Sequence, residues 1–313
     1  MSIYIPTNMQ EWENFIKSNL KKYDDNQDNK GNKVIKEDNV ITEPVKSVQQ
    51  YLDVVEQVYK SIQSDSAAGV SKQFKNLLWY RGLASLDYDL LPSISRGGLN
   101  TDYEVIYLSK FKSLAIPYVE RLPGYPFDEG TPSYWGWLFL MQHYGLPTRL
   151  LDWSTNALVA LLFATHERTA EQRKFDAVVW LLNPVKWNST FQLYDFLPPG
   201  YIPNVAENIV YEQFGPESVS TDKKPLSAIG PLNSTRIIAQ QGTFTIYPHT
   251  KDLISMDKLP GASESMYKIL IDNNSTDSIA KELNSYGITY ASLFPEISSI
   301  AQQIKEEGVF KVT

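Results

Sequence analysis

Residues 149–165 read RLLDWSTNALVALLFAT, and how this stretch is read decides the fold. TRLLDW (148–153) reads as a strand, Ser154, Thr155 and Asn156 offer cap chemistry, and ALVALLFAT (157–165) is apolar on almost every side. A polar turn that feeds a helix with no wet face implies a strand, a tight turn and a buried helix. Arg149 and Asp152 stand three apart on the strand, so they point to opposite faces and do not pair with each other. His143 falls in the last turn of the preceding helix, where a satisfied structural histidine is the ordinary case. Read this way, Arg149 and Asp152 form the scaffold of a wall and Ser154 its working face. Free N–H groups at a helix start also make an anion site.

Working outward, VKSVQQYLDVVEQVYKSI (45–62) spaces Val48, Tyr51, Leu52, Val55, Val58 and Tyr59 for a helix with one buried face. NLLWYRGL (76–83) is a short buried strand ended by Gly82, and YDLLPSISR (88–96) approaches in extended form through Pro92. YEVIYLSKFKSLAIPYV (103–119) is a helix stopped near Pro117, and SYWGWLFLMQHYG (133–145) is a nearly all-apolar one ended by Gly145. DAVVWLLNP (176–184), GTFTIYP (242–248) and YKILID (267–272) read as strands, and DSIAKELNSYG (277–287) and ISSIAQQIKEEG (297–308) as helices. Residues 185–235 lack periodicity, as lids, binding loops and irregular surface segments do. The start, MQEWENFIKSNL (9–20), is amphipathic, and residues 21–44 are too polar for core. The expected fold is α+β: helices packed on a small split β-sheet, with residues 1–75 as a helical extension and 76–313 as one domain.

Composition excludes several classes. The chain of 313 residues carries 29 basic and 36 acidic side chains, a net charge of −7, which argues against a basic nucleic-acid surface. It has no cysteine, so disulfides, thiolate nucleophiles and Cys-type metal sites are out. Three histidines, His143, His166 and His249, form no HExxH pair, and no metal is expected. No apolar run reaches the ~20 residues of a membrane span and no signal peptide is visible, so a cytoplasmic protein without membrane contact is expected. Frequent Asn, Lys, Ile and Tyr point to a low-GC bacterial source.

Two further stretches carry out-of-place polar groups. Arg81 closes a buried strand in Tyr80-Arg81-Gly82, where an unpaired guanidinium is costly; it serves either a structural ion pair, with Asp152 as a candidate, or a ligand carboxylate or phosphate. RIIAQQGTFTIYP (236–248) sets Gln240 and Gln241 at a strand mouth, where Gln241 either bonds backbone at a bend or holds a sugar hydroxyl. GxGxxG, GxxxxGK[ST] and GxSxG are absent, against Rossmann, P-loop and α/β-hydrolase chemistry.

These pieces, WYRG, YDLLPSISR, QHYGLPTRLLDWSTNALVALLFAT, AVVWLLNP, RIIAQQGTF and YASLFPEI, resemble the FRG domain family in content and order over roughly residues 76–300. A weaker resemblance is to ADP-ribosyltransferases of the Arg-Ser-Glu type, which have an Arg-ending strand, a Ser-Thr-Ser strand end leading into a helix, and a Glu-bearing motif entering a later strand. It implies a split-sheet core and NAD as substrate, with Arg81, Ser154 and Gln241 in the catalytic positions. It also implies ligand contacts from Tyr80, Gly82, Tyr144, Trp153 and Thr155. Gln241 departs from the pattern, because a neutral amide stands where a glutamate is expected. The implied setting is a bacterial toxin or phage-defence effector that acts on a protein or nucleic-acid acceptor and is held by a regulatory partner or antitoxin. A noncatalytic binding or sensor module and an RNA-targeting effector are the alternatives.

Overall fold

In the computed structural model the described residues are 43–64, 77–96, 99–119, 133–191, 200–218, 224–231 and 234–306. The amphipathic stretch at 9–20 and most of the polar segment after it lie outside them. Helix α1 (Val48–Ser64) buries Val48, Tyr51, Val54 and Val58, an i, i+3, i+4 stripe. Leu52 and Tyr59 were expected on that face, but the stripe runs through Val54 and leaves them on the outer side, at 36% and 38% exposure. Strand β1 is Trp79–Leu83, with Gly82 inside it rather than at its end. Helix α2 (Thr101–Val119) passes through Pro117, whose ring is accommodated in the last turn, and α3 (Ser133–His143) closes on Gly145 in the left-handed region.

Strand β2 (Leu150–Ser154), the turn at Thr155 and helix α4 (Ala157–Thr165) follow the predicted sequence of strand, polar turn and buried helix. Asn156 is the cap residue, its side chain accepting from the N–H groups of Leu158 and Val159. Then come β3 (Ala177–Leu182), α5 (Pro184–Thr190), α6 (Asn208–Phe214), β4 (Leu226–Ala228), α7 (Thr235–Ala239) and β5 (Gly242–Ile246). Among its described residues the region without periodicity therefore contains two short helices and an edge strand, too brief to leave a period in the sequence. Strand β6 (Met266–Ile271) and helices α8 (Thr276–Ser285), α9 (Tyr290–Leu293) and α10 (Ile297–Glu306) complete the α+β fold.

The sheet runs β4-β5-β2-β1-β3-β6 with every neighbouring pair antiparallel. Its middle is nearly unzipped. Strand β1 pairs with β3 along its whole length, from Trp79 opposite Leu182 to Leu83 opposite Val178, and β2 pairs likewise with β5. Between β1 and β2 the register is a single pair, Tyr80 with Ser154. Two half-sheets, β4-β5-β2 and β1-β3-β6, thus meet at one residue pair.

Strand alternation sorts the side chains to match. One face carries two separate cores. Tyr80, Val179, Leu181 and Ile269 pack beneath α1, α4 and α8 on one half, and Leu150, Phe244 and Ile246 pack beneath α3 on the other. The opposite face carries one continuous core, including Trp79, Leu151, Trp153, Trp180 and Leu270, that spans both halves. The two halves are therefore fastened from behind and parted in front. α1 belongs to this scheme, because Val45 bridges to Ile271 and the helix packs into the first core.

Candidate functional site

The parting between the half-sheets is a cleft of about 250 Å³, lined by β1, β2, α3, α4 and α7. Arg81 stands at its floor. Its Nη1 donates to the carbonyl oxygen of Asp152 across the junction at 2.5 Å, while Nε is buried with no hydrogen-bond partner. Burial pushes its pKa down to about 10, against the upward pull of nearby Asp152 and Tyr247 and with a further downward push from Arg96. The guanidinium is still a cation at neutral pH. Instead of the structural ion pair that the sequence allows, Arg81 makes a hydrogen bond to the backbone carbonyl of Asp152, which leaves donor capacity unspent.

That leaves the Asp152 carboxylate for the cleft. The side chain is exposed, shares its strand face with Leu150 and Ser154, and accepts from Gln142 Nε2 at 2.5 Å. Gln142 Oε1 in turn accepts from the Thr148 hydroxyl. A three-member relay, Thr148 to Gln142 to Asp152, thus spans the turn QHYGLPTRLLD and fixes one carboxylate oxygen. Asp152 is the only carboxylate among the cleft's lining residues.

Arg149 behaves in the opposite way. It is fully buried, and its Nε donates to Glu104 Oε1 at 2.9 Å, Nη1 to the Tyr247 carbonyl at 3.1 Å and Nη2 to the Tyr134 hydroxyl at 2.9 Å. The other Glu104 oxygen accepts the Arg149 backbone N–H at 2.7 Å. Burial alone would lower the guanidinium's pKa, but Tyr134 and Glu104 more than offset it and hold the group above its usual value. It is scaffold, as the sequence suggests. Asp152 differs from Arg149 because opposite strand parity turns it to the open side.

Ser154 was expected as the working face, yet its hydroxyl is committed to the scaffold. It donates to the Gln240 carbonyl at 2.7 Å and accepts the Asn156 N–H at 3.0 Å, stitching β2 to the turn before β5. Gln240, not Gln241, lines the cleft, and its Nε2 donates to the Leu293 carbonyl at 3.1 Å. Gln241 turns away because it takes a left-handed conformation, φ 49°, directly after α7, so its side chain faces the far side of the strand mouth. There it sits with Thr155, which it meets at 3.4 Å, in a separate apolar hollow of about 300 Å³ lined also by Trp79, Ile229 and Ile238. Arg81 and Ser154 therefore share one cleft, while Gln241 and Thr155 share another.

The remaining predicted contacts divide similarly. Tyr80 lines the cleft with its side chain largely buried, and burial, then nearby Tyr59, pushes its pKa up to about 12. Gly82 is there because any Cβ would lie 1.8 Å from the Ala160 carbonyl oxygen, so it lets α4 lie directly on β1. Trp153 offers backbone to the cleft, but its ring is in the rear core with Nε1 bonded to Thr245 at 3.1 Å, so it is not free to stack on a ligand. Tyr144 lies outside the lining at 58% exposure, edge-on to His143.

The sequence suggests a structural role for His143 and none in the cleft for Arg236, yet both line it. The pKa of His143 is lowered by burial, then by Arg236, against an opposing effect of Glu296. Arg236 is braced at the rim with its guanidinium 4.4 Å from the Phe294 ring centre. That ring continues a stack through Tyr290 to His166. The available signals were the helix-end position of Gln142-His143 and the basic residue of RIIAQQG, but neither indicates facing without the tertiary fold. Among the described residues no cluster of histidines and carboxylates is suited to a metal, and no helix is long and apolar enough to cross a membrane.

No curated protein and no solved structure gives a significant match to the chain. The segment that supplies Arg81, Gln142, His143, Asp152 and Ser154 matches the model of the FRG domain family at residues 76–173.

Proposed function

We propose that the cleft between the half-sheets binds NAD and breaks its nicotinamide–ribose bond, passing ADP-ribose to water or to an acceptor on a protein or nucleic acid. The observation that carries this reading is the junction itself. Strands bearing Tyr-Arg-Gly, Asp-Trp-Ser-Thr and Gln-Gln-Gly meet where β1 and β2 are joined by one pair, beside a guanidinium with an unspent N–H. A buried donor without a partner is costly, and an anionic ligand oxygen removes that cost. Arg81 and Arg236 together suit a pyrophosphate, and Tyr80 and Phe163 give the walls aromatic surface. The enclosed space lies just under the roughly 300–1,000 Å³ of small-molecule sites, which fits the reacting half of a dinucleotide. Glycosidic cleavage builds positive charge on the ribose, so a site with fixed dipoles and an anion lowers its barrier.

The test is nicotinamide release on incubation with NAD, with and without candidate acceptors. Release by the wild-type chain, abolished by Arg81→Met in a protein that still folds, is the expected result. No release by the wild-type chain under any of these conditions sinks the reading.

One observation favours a second reading, a ligand-binding module without turnover: the Ser154 hydroxyl is consumed by backbone partners and is not presented to a ligand. On that account NAD or a related nucleotide binds in calorimetry and leaves unchanged.

A further inference from the structure

We infer that Asp152 supplies the carboxylate that the cleft needs, with Gln142 and Thr148 as its positioning residues; the inference rests on the NAD reading above. The glutamines at the mouth of β5 are unsuited to the role. Gln240 spends its amide on the Leu293 carbonyl, Gln241 faces the other hollow, and both are neutral. Asp152 is in the cleft, exposed, and reaches it from the same residue whose carbonyl holds Arg81. Arg81 and Asp152 are thereby locked into one geometry on the two sides of the junction, a cation for the phosphates and an anion for the ribose.

The relay explains why an otherwise plain turn is built from these residues. Gln142 presents its N–H to Asp152 only if its carbonyl end is fixed, and the Thr148 hydroxyl fixes it. Thr148 is itself fully buried, with its backbone N–H bonded to the Ser93 hydroxyl at 3.0 Å. One carboxylate oxygen is thus tied down and the other is left to face the substrate. In the reaction the bond between ribose C1′ and the nicotinamide nitrogen breaks, and its electron pair leaves with the ring, which becomes neutral nicotinamide. The Asp152 carboxylate stabilises the positive charge left on C1′. Water then forms the new C–O bond and its proton passes to solvent, so that NAD and water give nicotinamide, ADP-ribose and one proton.

The experiment measures nicotinamide release and NAD binding for the wild-type chain and for Asp152→Asn, Asp152→Glu, Gln142→Met, Thr148→Val and Thr148→Ser. Asp152→Asn is expected to keep NAD affinity and melting temperature while kcat falls on the order of 10²-fold or more. Asp152→Glu, which keeps the charge but displaces it, recovers part of that loss. Gln142→Met is expected to lower kcat about tenfold with KM unchanged, as misplacement of a held group does. Thr148→Val lowers kcat by a smaller factor, and Thr148→Ser restores it. Near-wild-type turnover by Asp152→Asn overturns the inference and leaves the NAD reading standing. Equal loss in Asp152→Asn and Asp152→Glu with a fallen melting temperature also overturns it, by assigning the residue to the fold. A wild-type chain that releases no nicotinamide overturns both.

Discussion

Two arginines flank the same turn and live by different rules. Arg149 is fully buried with its guanidinium matched to Glu104, Tyr134 and the Tyr247 carbonyl. Arg81 sits where the half-sheets part, with one bond to a carbonyl and a buried N–H that nothing accepts. Cost is expected for both on burial, since each guanidinium leaves water. Only Arg149 recovers it inside the protein. The difference separates a residue kept for the fold from one whose unmet bonding makes sense with a ligand present, and it is the reason for proposing the site at the junction rather than in the more elaborate network.

The comparison can be broken most forcefully at Arg149. Arg149→Met leaves the Glu104 carboxylate buried and unpaired, and about 3–5 kcal/mol of stability should be lost in denaturant unfolding. Adding Glu104→Leu should recover most of it, because the stranded charge is then gone; failure to recover would mean that the network does more than satisfy itself. Next in size is Gly82→Ala. Its Cβ would strike the Ala160 carbonyl and push α4 off β1, with an expected loss of about 1–3 kcal/mol together with the cleft's ligand binding. A Gly82→Ala protein as stable as wild type would show that α4 does not have to lie directly on β1.

Smaller effects sharpen the picture. Gln241→Gly relieves a left-handed conformation in a residue with a Cβ and should raise stability by up to about 1 kcal/mol. An unchanged or lower melting temperature would mean that the contact with Thr155 outweighs the strain. The smallest is a pH effect. Because the His143 pKa is lowered below 6.5 in the folded chain, the unfolded chain binds more protons as pH falls from 6.5 toward that lowered value. Stability should therefore drop across that window, and the drop should shrink in His143→Gln. Unfolding curves taken at several pH values check it, and identical slopes in the two proteins would remove His143 from the account.

Much of the fold is legible because its elements have strong local signals. The strand, turn and helix of residues 150–165 can be read from a polar cap set between two apolar runs, and β3 from its unbroken β-branched stretch. Arg149 is legible as scaffold for a similar reason: a charge among large apolar neighbours must be paired. What the sequence conceals is direction. Asp152 and Ser154 both line the cleft, and which of them offers it an unspent polar group depends on which neighbour claims the Ser154 hydroxyl; that neighbour, Gln240, is 86 residues away. Gln241 looks like the occupant of a missing glutamate's place until its backbone φ turns it to the other side. Gly82 resembles a strand terminator, and only the approach of α4 reveals a packing requirement. The short helices in residues 185–235 leave no period because each spans about two turns.

The most direct test of the central claim sets melting temperature beside nicotinamide release for Arg81→Met. Removal of a guanidinium with unspent donors is expected to leave the melting temperature unchanged or higher while release is lost. A variant that unfolds as Arg149→Met is expected to, or one that releases nicotinamide at the wild-type rate, would contradict that claim.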